Sequence, residues 1–275
     1  MVDAAPKSRN RPRMFPIRDH NPSASTPYVT YALMLVNVLV FLSYVSLFGD
    51  QRALGAFFDN WALIPARVSQ GEGMVTLFTT MFMHGGFMHL AGNMLFLWIF
   101  GDNLEDQMGH VGYLLFYLAS GLAAALVHVM AAPHSPVPTV GASGAIAGVM
   151  GGYLLLYPKA RVDILFVFII FFRIFSVPAW VMLGVWFAIQ LTAGIGSNAM
   201  MGGVAYWAHA GGFIAGFILT LPVWMRQGGI GYWNQHHGRP PHPEAEYELT
   251  PTRIPRVKRR GATTRVPRVR RKKDD

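Results

Sequence analysis

The chain has 275 residues, 52% of them hydrophobic and only 13% charged, with a formal net charge of +9 and no cysteine. An average soluble domain carries about twice that share of charged residues, so an ordinary water-soluble domain is excluded. Disulfides and thiolate metal sites are excluded by the cysteine count.

The first 27 residues make a basic arm with Lys7, Arg9, Arg11, Arg13 and Arg18. These stand too far from the first apolar run for a conventional signal peptide. Pro6, Pro12, Pro16 and Pro22 argue against an amphipathic targeting helix. The expectation is a cytoplasmic arm that orients the first span. Apolar runs follow at Tyr28–Phe48, Gly86–Phe100, Val111–Ala132, Gly141–Leu156, Ala179–Ile195 and Gly202–Trp224. Most are long enough to cross about 30 Å of hydrocarbon at roughly 1.5 Å per residue. The two shortest can cross if their polar ends lie in a protein-lined cavity. An all-α polytopic membrane protein with a six-span core over 28–225 is predicted. Residues 226–275 change character, with six prolines and, from Arg253 to Lys273, eleven Lys or Arg. This tail is expected to be disordered and solvated. It would attract anionic headgroups by about 1 kcal/mol per basic residue near the surface. Nucleic-acid binding is the rival reading and is set aside beside a multi-span core.

One further apolar run, "VDILFVFIIFFRIFSVPAW" (162–180), contains Asp163, Arg173 and Pro178. As a seventh span it would reverse everything after it. Lying instead in the cytoplasmic interface, where its charged heads reach water, it leaves six spans and both basic termini inside. The turn at 157–161 and the short loop around Gly101–Gly109 then fall inside. The long first loop (about 49–85), the loop 132–140 and the loop near Gly196–Asn198 fall outside. Under this count Ser143 and His209 lie at a similar depth below the outer surface.

Strongly polar residues inside spans are costly and mark a partner or a function. His209, Gly212 and Gly216 share one face of the sixth span. In the fourth span Ser143, Ala147 and Gly151 form one small seam, and Gly144, Gly148 and Gly152 the next. Packing these helices glycine to glycine would bring Ser143 within hydrogen-bond reach of His209, the pairing a serine nucleophile requires. Alone, each residue reads as structure: a serine in a packing seam, a hydrogen-bonded histidine. A second cluster changes that balance. In "HGGFMHLAGN" (84–93), His89 and Asn93 share a helical face, whereas His84 is about 140° away. With no carboxylate or thiol at helical spacing, zinc is a poor fit. His89 and Asn93 suit donation to a developing oxyanion, with the backbone N–H of Ser143 as a third donor.

In their order along the chain, "HGGFMHLAGN" (84–93), "GDNLEDQMG" (101–109), "GASG" (141–144) and "AHAGGFIAG" (208–216) resemble the rhomboid family of intramembrane serine proteases. The resemblance covers roughly residues 28 to 225. It implies a six-helix rhomboid-like bundle and a Ser–His dyad with Ser143 as nucleophile and His209 as general base. It implies His89 and Asn93 as oxyanion-stabilising side chains and His84 as structural. Gly101, Glu105 and Gly109 match a Gly-x-x-x-Glu-x-x-x-Gly pattern, with Glu105 a structural acceptor; Gly141, Gly144, Gly212 and Gly216 belong to the motifs as well. There are two departures from it. Val75 and Thr76 stand where many relatives carry Trp-Arg, so the first loop is anchored differently. Ala147 stands where some relatives stack an aromatic on the catalytic histidine, so that ring must be held by something else.

The function so implied is hydrolysis of peptide bonds in or near transmembrane segments of single-span proteins, with no cofactor, nucleotide or metal. The expected location is the bacterial plasma membrane, multi-pass, with both termini cytoplasmic. The alternative is a proteolytically inactive rhomboid-like protein that binds client membrane helices. A transporter is more distant, since no inverted repeat or pair of broken helices is visible.

Overall fold

The computed structural model describes residues 13–168, 171–197, 203–241 and 243. Helix α1 (Tyr28–Tyr44) carries no charge. Its Thr30, Leu33, Asn37, Phe41 and Tyr44 recur at three- and four-residue steps and make one buried face. The opposite face is apolar too, and Leu35, Val36, Leu39 and Leu42 stay exposed. A helix that is apolar all round yet covered on one side only has lipid as its natural second neighbour.

The segment after α1 folds as α2 (Gln51–Trp61), α3 (Pro65–Val68) and α4 (Thr76–Thr79). Its anchor is a separate apolar cluster of Leu63, Val68 and Leu77 against Ala125 and Val129. Thr76 is buried and turns its hydroxyl onto the Gly73 carbonyl at 2.6 Å. Close packing therefore holds the loop where a Trp-Arg pair is missing.

Helix α5 (Phe87–Ala131) is broken at Gly109, whose φ of 70° and ψ of 164° are reserved for glycine. The two limbs fold back on each other. A Cβ on Gly101 would lie 2.7 Å from the Tyr113 hydroxyl, whereas twelve residues of straight helix would separate the two by about 18 Å. The loop expected over Gly101–Gly109 is thus helix up to the break. Glu105, on the first limb, is buried and accepts from the N–H groups of Val29 and Thr30 and from the Thr30 hydroxyl, each at 2.8 Å. A carboxylate at the start of α1 satisfies donors that have no intrahelical acceptor, and the helix dipole favours it. The Gly-x-x-x-Glu-x-x-x-Gly pattern is therefore a clasp between α1 and α5.

Helices α6 (Ser143–Leu156), α7 (Ala179–Gly196) and α8 (Tyr206–Arg226) complete the bundle. A Cβ on Gly212 would sit 2.0 Å from the Gly144 carbonyl oxygen, and one on Gly216 2.0 Å from that of Gly148. One on Gly152 would sit 2.5 Å from Thr220 Oγ1. Three rungs at matched four-residue steps mean that α6 and α8 run parallel, backbone against backbone. The second limb of α5 runs the other way, with Ala124, Ser120 and Phe116 opposite Gly144, Gly148 and Gly152. Among the described residues, the runs Tyr28–Gly49, Phe87–Ala131, Ala179–Gly196 and Tyr206–Arg226 are long and apolar enough to cross a bilayer. The shorter α6 is buried by protein along nearly its whole length.

An all-α architecture is corrected by a three-stranded antiparallel sheet of order β1 (Arg13–Asp19), β2 (Arg161–Phe168), β3 (Phe171–Pro178). The run at 162–180 is rich in Val, Ile and Phe, which suit a pleated surface. It forms a hairpin that ends where it began: Ala179 N–H donates to Ala160 O at 2.8 Å and Trp180 N–H to Pro158 O at 2.9 Å. Helix α6 therefore finishes, and α7 starts, at the same end of the bundle. Asp163 does not reach water as expected. Arg18 Nε reaches it at 2.7 Å and His20 Nε2 at 2.9 Å, and the Ser176 hydroxyl donates as well. Burial works to raise its carboxyl, but the hydrogen bonds from Ser176, His20 and Arg18 prevail and hold it at about 2. Asp19, at the end of β1, accepts from the Tyr153 hydroxyl of α6 at 2.7 Å.

Disorder beginning at Arg226 is corrected over the described part of the tail, residues 226–241. Helix α9 (Ile230–His236) docks on the core, with Trp233 Nε1 donating to Leu155 O at 3.0 Å and Lys159 N–H to Gly238 O at 2.8 Å. Tyr232 and Trp233 supply apolar surface that the surrounding prolines and charges conceal in a composition reading. Lys7, Arg9, Arg11, Asn198 and the basic run Arg253–Lys273 lie outside the described residues.

Candidate active site

The glycine rungs between α6 and α8 set the first distance. Ser143 opens α6 one residue before Gly144, and His209 lies on α8 three residues before Gly212. His209 Nε2 and Ser143 Oγ are 2.8 Å apart. Both line a cavity of about 500 Å³, together with His89 and Asn93 of α5 and Trp186 of α7.

The donors around this pair are set by their neighbours. His89 Nδ1 accepts from the Gly85 N–H at 3.3 Å, so Nε2 carries the ring proton. That nitrogen would lie 2.9 Å from a Cβ on Gly141, which in turn would be 3.3 Å from Ser143 Oγ. Gly141 has a φ of 140°, so both its backbone and the approach of His89 demand glycine. Asn93 is buried, and its Nδ2 has no hydrogen-bond partner among the described residues. A buried amide donor left unpaired is costly; here it stands in the cavity wall beside the serine. The Ser143 N–H belongs to the first turn of α6, where no intrahelical acceptor exists.

His84 is fully buried with its ring set edge-on to His89, 5.1 Å between centroids. Burial first, and then the neighbouring His89, push it down to about 3, so it stays neutral. Its backbone is clamped by Tyr44, whose hydroxyl donates to His84 O at 2.9 Å and accepts from its N–H at 2.7 Å. The structure thus gathers Ser143, His209, His89 and Asn93 around one cavity. It sets Gly101, Glu105 and Gly109 apart, at the clasp on α1.

Two residues at the site escaped the sequence reading. Ala147 is buried in α6, and the aromatic neighbour of His209 comes from α7: Trp186, 5.8 Å away at 33°. On the ring's other nitrogen, His209 Nδ1 meets Gln190 Oε1 at 2.8 Å. A strongly polar side chain within the apolar run 179–195 was the available signal.

The apolar helices define an integral membrane protein, and within it a serine and a histidine stand in contact at the candidate site. The Rhomboid domain family matches residues 71–226, and the chain belongs to that family. It is 32% identical over 197 residues to "Rhomboid protein 1, mitochondrial" of Saccharomyces cerevisiae, covering 69% of this chain and 51% of that protein. It is 31% identical over 203 residues to "Rhomboid protease GluP" of Bacillus subtilis, covering 74% and 36% respectively. With "Rhomboid-like protein 11, chloroplastic" of Arabidopsis thaliana it shares 35% over 155 residues, 54% and 50% of the two chains. The matches span between about a third and a half of the length of these curated relatives.

Proposed function

We propose that the protein is an intramembrane serine endopeptidase that hydrolyses peptide bonds in or near the transmembrane segments of single-span membrane proteins. The observation that carries this reading is the 2.8 Å contact between Ser143 Oγ and His209 Nε2, inside a cavity that also presents an unpaired Asn93 amide. Ser143 Oγ attacks the scissile carbonyl carbon as His209 Nε2 takes the hydroxyl proton. The oxyanion receives hydrogen bonds from Asn93 Nδ2, His89 Nε2 and the Ser143 N–H. Collapse of this intermediate breaks the C–N bond. The proton passes from His209 to the leaving amine, and an acyl-Ser143 ester remains. Water, deprotonated by His209, attacks that ester and restores the serine.

Six crossings complete the reading: α1, the two limbs of α5, then α6, α7 and α8. The parallel run of α6 and α8 and the closed ends of the β2–β3 hairpin support an even count. Both termini are then cytoplasmic in a bacterial plasma membrane, with the basic tail available to anionic headgroups. The test is cleavage of a generic transmembrane substrate by detergent-purified protein. A fluorophosphonate should label Ser143, and Ser143→Ala and His209→Ala should each abolish turnover while the protein stays folded. Substantial cleavage by purified Ser143→Ala would remove the nucleophile assignment.

A further inference from the structure

Gln190 is 6% exposed, within an otherwise apolar stretch of α7, and both ends of its amide are engaged. Nε2 donates to the Trp186 carbonyl at 3.3 Å, and Oε1 meets His209 Nδ1 at 2.8 Å. The Trp186 carbonyl only accepts, so the NH₂ end must face it and the oxygen must face the histidine. An amide oxygen only accepts as well, so His209 Nδ1 must carry the ring proton. The lone pair is thereby left on Nε2, the nitrogen 2.8 Å from Ser143 Oγ. We propose that Gln190 is a positioning residue that fixes the tautomer and orientation of His209, a neutral amide in the place where a catalytic triad keeps its acid.

This rests on the protease reading above. Among the described residues, the titratable groups whose charge acts on His209 are His89 and His128, both on α5. Ser143 is its partner on α6 and Gln190 its partner on α7; among the described residues no Asp or Glu side chain bonds the ring. The amide lets the ring act as a base without adding a buried charge to an apolar helix, where an unpaired carboxylate would be expensive. Its oxygen also keeps a partial negative charge against the imidazolium as that cation forms.

The experiment compares the full-length wild type with Gln190→Met, Gln190→Glu and Ser143→Ala. It reads kcat and KM for a transmembrane substrate from pH 5 to 9, the melting temperature, and ¹⁵N-histidine NMR with the His209 signals assigned by their loss in His209→Asn. Gln190→Met should lower kcat by about 10- to 100-fold with KM little changed. That is less than the roughly 10⁴-fold that a wrong tautomer costs a charged triad. Gln190→Glu should recover most of the turnover above neutral pH. Its carboxylate favours the imidazolium, so the acid limb of its pH–rate profile should move up by about one unit or more. The wild-type spectrum should show the proton on Nδ1, and Gln190→Met should lose that preference.

Gln190→Met with kcat within twofold of wild type would overturn the proposal. So would Gln190→Glu with an equal loss and an unmoved acid limb, the mark of simple packing, or a wild-type spectrum with the proton on Nε2. Failure of the protease reading looks different: the wild type and Ser143→Ala are then alike in cleavage, while the NMR arm still decides the tautomer.

Discussion

Adding one methyl group at Gly212 should disable this protein without altering any polar side chain. A Cβ there would lie 2.0 Å from the Gly144 carbonyl oxygen, 2.9 Å from its carbon and 3.2 Å from the Ala124 Cβ. The first two are backbone atoms of a helix, so no side chain can swing aside. Restoring 2.0 Å to an ordinary contact of 3.4 Å requires α6 and α8 to part by about 1.4 Å. Ser143 directly precedes Gly144, so the same displacement would lengthen the 2.8 Å contact with His209 to about 4 Å, beyond hydrogen-bond range. Gly212→Ala should therefore lose about 100-fold or more in turnover, as expected when reacting groups are misplaced by an ångström. It should also lose about 1–3 kcal/mol of stability to overpacking. Gly184→Ala on α7 is the matched control: among the described residues nothing lies within 4 Å of its added Cβ. There the better helix propensity of alanine should leave stability equal or higher, with turnover unchanged. The assay is substrate cleavage beside fluorophosphonate labelling and thermal melting, all on purified protein. Gly212→Ala with wild-type turnover would refute the argument that the glycine seam sets the distance between serine and histidine.

Asn93→Ala should lower kcat by about 10²- to 10³-fold with a smaller effect on KM, as for a lost oxyanion donor; steady-state kinetics decide it, and an effect confined to KM would mean a binding role. Burial, and then the neighbouring Asp102 carboxylate, raise Asp19 to about 8. The stability it contributes is full below its unfolded pKa near 3.8 and is lost as pH climbs through about 8. Melting temperatures of the wild type should fall over that window, and Asp19→Asn should flatten the fall. Single cysteines at exposed Lys159 and Arg173 should resist an impermeant thiol reagent in intact cells, while one at exposed His134 reacts. Outside labelling at Arg173 would make the hairpin a crossing segment.

The parts of the fold that were legible rest on short-range repetition. Gly144, Gly148 and Gly152 announce a seam because four-residue spacing puts them on one face of any helix, and Gly212 and Gly216 announce its partner. The β-sheet was hidden because its information is non-local: Pro16 spoils any local strand signal in β1, and the partner of Arg18 lies 145 residues away. Helix α9 was masked by flanking glycines and prolines although Tyr232 and Trp233 are what dock it. Gln190 was overlooked because no motif surrounds it, even though an amide in an apolar helix always needs an account of its hydrogen bonds.

The pairing of β1 with β2 has a consequence for how the chain is made. Arg18 emerges about 145 residues ahead of Asp163, so at roughly 5–20 residues per second it waits some 7 to 30 seconds for its partner. Throughout that interval α1 is already inserting. If α1 entered in the inverted sense, β1 would be stranded across the bilayer from the hairpin. Asp163 would then be shut away without Arg18 or His20, and Tyr153 on the serine's own helix would lack Asp19. The sheet thus works as a checksum on threading: a chain inserted the wrong way round cannot close it, and is left with an open strand edge and an Asp163 that keeps only Ser176 of its three side-chain partners.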